Sequence, residues 1–177
     1  MKLSEKAIGT TFKTENLEHI ILSHDEENGT TKCLLKDFWK TSRFDKDTAN
    51  YVASDIRNDL NTKFLKTLAA EVGAENIVEH TVDLTTDDGR KDYGTVTDKI
   101  SLLTTTQFRE FIEILDKYNP GRWWWTATAL SSKTWTDCVR CVVSIGILND
   151  NYCNISGGVR PFYILKSSIS VSDEDLQ

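Results

Sequence analysis

Three tryptophans stand side by side at positions 123, 124 and 125, and three large indoles left in water would be an aggregation liability. Side chains alternate along a strand, so Trp123 and Trp125 face one side and Trp124 the other. At least one face of that strand therefore belongs to a core. We read the three as packing the centre of the domain, with their indole N–H groups satisfied by backbone carbonyls. The alternative is an aromatic platform for a sugar ring or an apolar ligand.

The chain has 177 residues, 27% of them charged and 39% hydrophobic. That suits one globular domain with a sizeable core. Residues 1–170 read as the domain and 171–177 as a frayed acidic tail. No apolar run approaches the roughly 20 residues of a membrane span. The first ten residues carry charges but no apolar core, so no secretory signal is read, and synthesis in the cytoplasm is expected. A phage virion protein would also be made there.

The N-terminal part predicts strands at 18–23 and 30–35, joined by a turn at the Asn28-Gly29 step. A helix should start at an N-cap on Ser54 and stop at Gly73, with Ile56, Leu60, Phe64 and Leu68 on one stripe. Residues 77–84 predict a short extended segment. A second helix should run from Thr105 to Tyr118, opened by the capping-box spacing of Thr104 and Gln107 and ended by Asn119-Pro120-Gly121. Short strands follow at 123–126, 138–147 and 159–165, with Gly146, Gly157 and Gly158 as turns and Pro161 at an edge or bulge. Two helices in a strand-rich frame give an α+β fold with mostly antiparallel strands.

Four stretches then carry a resemblance. They are Asp37-Phe-Trp-Lys-Thr-Ser-Arg-Phe-Asp45, Tyr51-Val-Ala-Ser-Asp-Ile-Arg-Asn-Asp-Leu-Asn61, Asp98-Lys-Ile-Ser-Leu-Leu103, and Trp123-Trp124-Trp125 paired with Gly158-Val-Arg-Pro-Phe162. In this order they resemble a domain family of unknown function found in bacteria and their phages. The likeness spans roughly residues 15–166. One departure stands out: where the family has a proline after the tryptophans, this chain has Thr126-Ala-Thr-Ala129, so the following loop should take a different path. The family is similar to the C-type-lectin-like fold, the scaffold shared with formylglycine-generating-type domains. The resemblance implies a single C-type-lectin-like domain that binds a ligand through a variable, loop-rich surface near its last strands, as phage proteins do. It names no ligand.

Two polar, turn-rich segments, 129–137 and 148–156, are the expected contact loops. Tyr and Trp supply area at low entropy cost, and Ser and Asn supply adaptable hydrogen bonds. Trp135, Asn149, Asn151, Tyr152 and Asn154 are the candidate ligand-binding residues. Arg160 is expected to be buried in a bidentate contact with a carboxylate or with backbone carbonyls.

No catalytic or metal residue and no cofactor is assigned. His19 and His24 are placed on the surface of the first hairpin, and His19, His24 and His80 sit beside no nucleophile motif. No second CxxC accompanies Cys138 and Cys141, which on a strand point to opposite faces, so Cys33, Cys138, Cys141 and Cys153 read as reduced packing residues. The calcium-lectin motifs are incomplete at Asn119-Pro120 and Asn149-Asp150. The net charge of -6 disfavours general nucleic-acid binding. The expectation is a non-catalytic, phage- or prophage-encoded accessory protein of a virion or surface, recognising a receptor, glycan or protein. An intracellular inhibitor of a host or defence factor and an enzyme on the same scaffold are the alternatives, and a homo-oligomer stays open.

Overall fold

The computed structural model describes residues 1–172 of the chain. It is a mixed α+β fold, mostly strands with few helices. The first sheet holds β1 (Thr11–Lys13), β2 (Glu18–Asp25), β3 (Thr30–Leu35), β13 (Phe162–Lys166) and β5 (Ile77–Val78) in that order, with β8 (Ile100–Ser101) also paired to β13. The second runs β11 (Leu148–Tyr152), β10 (Cys138–Val142), β9 (Trp124–Ala129), β12 (Gly157–Val159), β4 (Lys40–Ser42). A separate hairpin joins β6 (His80–Asp83) to β7 (Thr95–Asp98).

One long helical rod packs against both sheets. It comprises α1 (Asp55–Asp59), a π-helical segment (Leu60–Phe64) and α2 (Leu65–Val72). Ser54 Oγ accepts the Arg57 N–H at its start, and Gly73 stops it at φ 86°. The π segment explains the spacing of the stripe. Four residues of α-helix overshoot a turn by about 40°, so positions 56, 60, 64 and 68 would drift off one face. A wider turn in the middle brings them back, and all four are buried to 1% exposure or less.

The second expected helix is two short ones, α3 (Thr105–Glu110) and α4 (Ile112–Lys117). The chain bends at Phe111, whose φ and ψ are -105° and 19°. The bend is a kink, because the Phe111 N–H still reaches Gln107 O and the Leu115 N–H still reaches Phe111 O, both at 3.0 Å. It keeps Phe108, Phe111 and Leu115 in one core. The Thr104–Gln107 capping box is present as expected.

Each sheet has a core on both faces. The larger interior joins Ile21, Cys33, Tyr163 and Leu165 of the first sheet to Trp125, Val139 and Cys141 of the second and to the rod. The smaller one joins Ile20, Leu34 and Phe162 to Trp124, Val142, α3 and α4. Trp124 and Trp125 thus serve opposite cores, at 1% and 0% exposure. Trp125 Nε1 donates to Ser42 O at 3.0 Å. Trp124 Nε1 has no acceptor within reach, contrary to the expectation for all three indoles.

Residues 159–165 do not form one strand. The chain leaves the second sheet after Val159 and enters the first at Phe162, with Arg160-Pro161 as the link. Pro161 has no N–H to give a ladder, but its carbonyl takes the Leu35 N–H at 2.9 Å. Gly157 and Gly158 are also not a turn. They lie in buried strand β12, where an added Cβ would sit 2.3 Å from the Trp123 ring at Gly157 and 2.3 Å from the Phe38 ring at Gly158. Thr126–Ala129 continue β9 as strand.

At the far end, Val171 is 9% exposed and its N–H bonds Met1 O at 2.9 Å, so the domain edge reaches at least this residue. The rest of the expected acidic tail, 173–177, lies outside the described residues.

Two substitutions probe this frame. Gly158→Ala should destabilise the protein by about 1–3 kcal/mol through overpacking against Phe38, read as a lower urea midpoint. Arg160→Lys keeps the charge but loses the planar fork, and is expected to lower stability by about 3 kcal/mol by stranding buried carbonyls.

Candidate functional site

The first contact segment is a loop, as expected. Leu130 N–H reaches Cys138 O at 3.0 Å, Thr136 O takes the Ala49 N–H at 3.0 Å, and Ser132 Oγ donates to Asp92 at 2.5 Å. These ties leave Trp135 no inward path. Its backbone adopts φ 53°, and its ring is 62% exposed. A bulky residue in the left-handed region is strained by about 1–3 kcal/mol, a condition that gathers at functional sites.

The second segment corrects the sequence reading. Residues 148–152 are strand β11, paired in full register with β10 from Cys138↔Tyr152 to Val142↔Leu148. Leu-Asn-Asp-Asn-Tyr is poor in strand formers, and pairing with β10 overrides that preference. The turn of the hairpin carries Gly146 at φ 84°.

The structure brings Trp135, Asn151 and Tyr152 together in a shallow groove of about 250 Å³, with Leu130, Cys138 and Asp150 as further lining. Tyr152 is 49% exposed. Asn149 and Asn154 do not line it. Asn149 Oδ1 accepts the Asp150 N–H and Asn151 Oδ1 the Tyr152 N–H, each at 2.9 Å. Asp150 was missed by sequence reasoning. The strand alternation that puts it beside Tyr152 would have found it. Arg140 positions it from the same face, 3.6 Å from Asp150 and 3.0 Å from Asp87.

A roomier cleft of about 590 Å³ lies elsewhere, walled by residues 16–18, 35–38 and 117–120 with Arg122. Ion pairs Lys36–Glu18 at 3.0 Å and Arg122–Asp37 at 3.1 Å span its charges. Arg160 braces the wall behind it, completely buried, donating to Leu35 O at 2.9 Å, Lys36 O at 2.7 Å and Tyr118 O at 3.0 Å. This is the carbonyl form of the expected contact. Burial lowers the Arg160 pKa to about 10, with Asp37 opposing the shift. The cleft therefore offers paired charges, whereas the Trp135 groove offers exposed aromatic faces.

The titratable groups are structural. His19 is buried, not on the surface. It bonds Tyr163 Oη at 2.5 Å and Thr14 Oγ1 at 2.9 Å, and Thr14 in turn donates to Glu71. This chain ties β1, β2, β13 and α2 together. His24 is half-buried between Thr31 Oγ1 and Lys6 O, both at 2.8 Å, and His80 faces Ser101 Oγ at 2.8 Å. All four cysteines are free and buried. Burial raises the Cys138 and Cys141 thiols to about 11, which keeps them protonated and unreactive. Among the described residues no group of His, Cys, Asp and Glu has the arrangement of a metal site. Asp87 pairs with Arg109 and Arg140, and Asp88 with Arg90.

Burial holds both His19 and His80 near a pKa of about 4, from an ordinary 6.5. Between those values the unfolded chain binds protons that the folded one refuses. Stability should therefore be complete above pH 6.5 and fall as the pH drops toward 4, by roughly 3 kcal/mol per histidine. Urea midpoints across that window check this, and His19→Gln should flatten the slope.

Compared with family models, curated proteins and solved structures, this chain matches none.

Proposed function

We propose that this chain is a non-catalytic binding module on a C-type-lectin-like scaffold, encoded by a phage or prophage and displayed on a virion or surface. It recognises its ligand through the groove of Trp135, Asp150, Asn151 and Tyr152. The observation that carries this is Trp135, exposed and held at positive φ by a loop tied at Leu130, Ser132 and Thr136. Two aromatic faces beside a carboxylate and an amide suit a glycan: the rings stack on the sugar's C–H face and the polar groups take its hydroxyls.

Support for the scaffold comes from how the four resembling stretches meet. Arg57 forks onto Asp98 at 2.8–3.2 Å. Asn61 bonds both the N–H and the carbonyl of Ile100, at 3.1 and 2.9 Å. Asp45 Oδ1 accepts the Asp55 N–H at 3.0 Å, Phe44 packs on Trp125 and Phe38 on Gly158. Each stretch has its neighbour among the others, as parts of one frame would. Support for a binding rather than catalytic role comes from histidines and thiols committed to packing: burial keeps His19 and His80 as neutral imidazoles and Cys138 and Cys141 as thiols.

A protein ligand is the second reading, favoured by the acidic net charge of -6 and by Asp150 in the groove. This is the form an intracellular inhibitor of a basic host factor would take.

A glycan array probed with wild type, Trp135→Ala and Tyr152→Ala tests the proposal. Signals on particular glycans should fall at least about ten-fold in both variants, with melting temperature unchanged. Trp135→Gly should bind as weakly while melting at the same or a higher temperature, since glycine relaxes the positive φ. An array without signal, with a purified protein partner bound by wild type and not by the variants, moves the reading to a protein ligand. Ligand binding that survives both alanine variants overturns the site.

A further inference from the structure

We propose that Asn149 and Asn151 lock the open edge of the second sheet against strand addition by another copy of the chain. β11 is the outer strand of that sheet, next to β10 alone. In an antiparallel pair, alternate residues turn their N–H groups toward the partner strand and the rest turn them away. Val143 N–H bonds Ile147 O and Cys153 N–H bonds Asp137 O. With the observed register, residues 147, 149, 151 and 153 face β10, and 148, 150 and 152 face outward. The outward N–H groups of Asp150 and Tyr152 are the ones capped, each by the amide oxygen of the asparagine before it, at 2.9 Å. The outward Tyr152 carbonyl takes the Ile155 N–H at 3.2 Å.

The need for a lock is local. An open edge is a template for another chain, and proteins blunt edges by shortness, charge or cover. The other ends of the two large sheets are short: β1 and β4 have three residues each, β5 and β8 two, and the strands of the separate β6–β7 hairpin have four. β11 has five. It is flanked by exposed Ile145, Ile147 and Ile155, at 74%, 56% and 40%, which would reward edge pairing. An arriving strand must first displace both asparagine side chains and then align against Asp150, which in a symmetric pair centred there would face its own copy.

This inference does not depend on what the groove binds. The test is hydrogen exchange and sedimentation of full-length wild type, Asn149→Ala/Asn151→Ala and Asn149→Asp/Asn151→Asp. In the alanine variant the amides of Asp150 and Tyr152 should exchange about ten-fold faster, while those of residues 149 and 151, bonded to β10, stay as they were. Sedimentation should reveal a concentration-dependent species that wild type lacks. The aspartate variant keeps an acceptor at each position and should keep wild-type exchange. Should the double alanine variant misfold, each single variant reports on its own amide. Unchanged exchange overturns the lock. So does faster exchange without a new species, and so does wild type already paired through β11.

Discussion

A buried guanidinium at the two-residue link between the two sheets is the contact on which this molecule most depends. Arg160 sits between β12 and β13, stacks 5.1 Å from the Trp124 ring, and ties three carbonyls from two distant loops. Among the described residues it has no carboxylate partner within salt-bridge distance, and its charge is met by peptide dipoles and an indole face. A cation so placed tolerates little movement, because the carbonyls that stabilise it come from two distant segments, the end of β3 and the end of α4. The Gly157-Gly158 step just before it lets two aromatic rings close over β12, and Pro161 just after it turns the chain into the other sheet. The five positions 157–161 thus set how the two sheets meet.

What the sequence disclosed was what local chemistry decides. The Asn28-Gly29 turn, the Ser54 cap, the Gly73 stop and the Thr104–Gln107 box each depend on a side chain or a dihedral within a few residues, and each is present. What it hid was decided by distant partners. Residues 159–165 look like one apolar run, and only the proline hints that two sheets divide it. β11 looks like a loop because its strand character is imposed by β10. Phe111 carries no helix-breaking signal, and the kink there answers to the core it fills.

The candidate site was legible in the same uneven way. Trp135 and Tyr152 could be picked out as aromatics among small polar residues, and they do share a groove. Asn149 and Asn151 have the expected property, adaptable hydrogen bonding, yet their amide oxygens spend it on their own backbone. Asp150 was hidden by its company in a turn-like tripeptide, although its neighbour Arg140 holds it beside the tyrosine. Three of the basic residues between positions 32 and 46 are paired: Lys36 with Glu18, Lys40 with Asp59, Arg43 with Asp55.

The position of β12 and β13 within their sheets bears on how the chain is made. Each is flanked on both sides by strands translated earlier: β13 by β3 on one side and β5 and β8 on the other, β12 by β9 and β4. A nascent chain on the ribosome therefore holds two split half-sheets, with apolar strand edges waiting, until residues 157–166 emerge. Pairings such as Phe162 with Leu34 span most of the sequence, and such long-range closure is slow. Vectorial synthesis thus leaves the strand edges of both sheets open longest on either side of β12 and β13, until the last strands arrive.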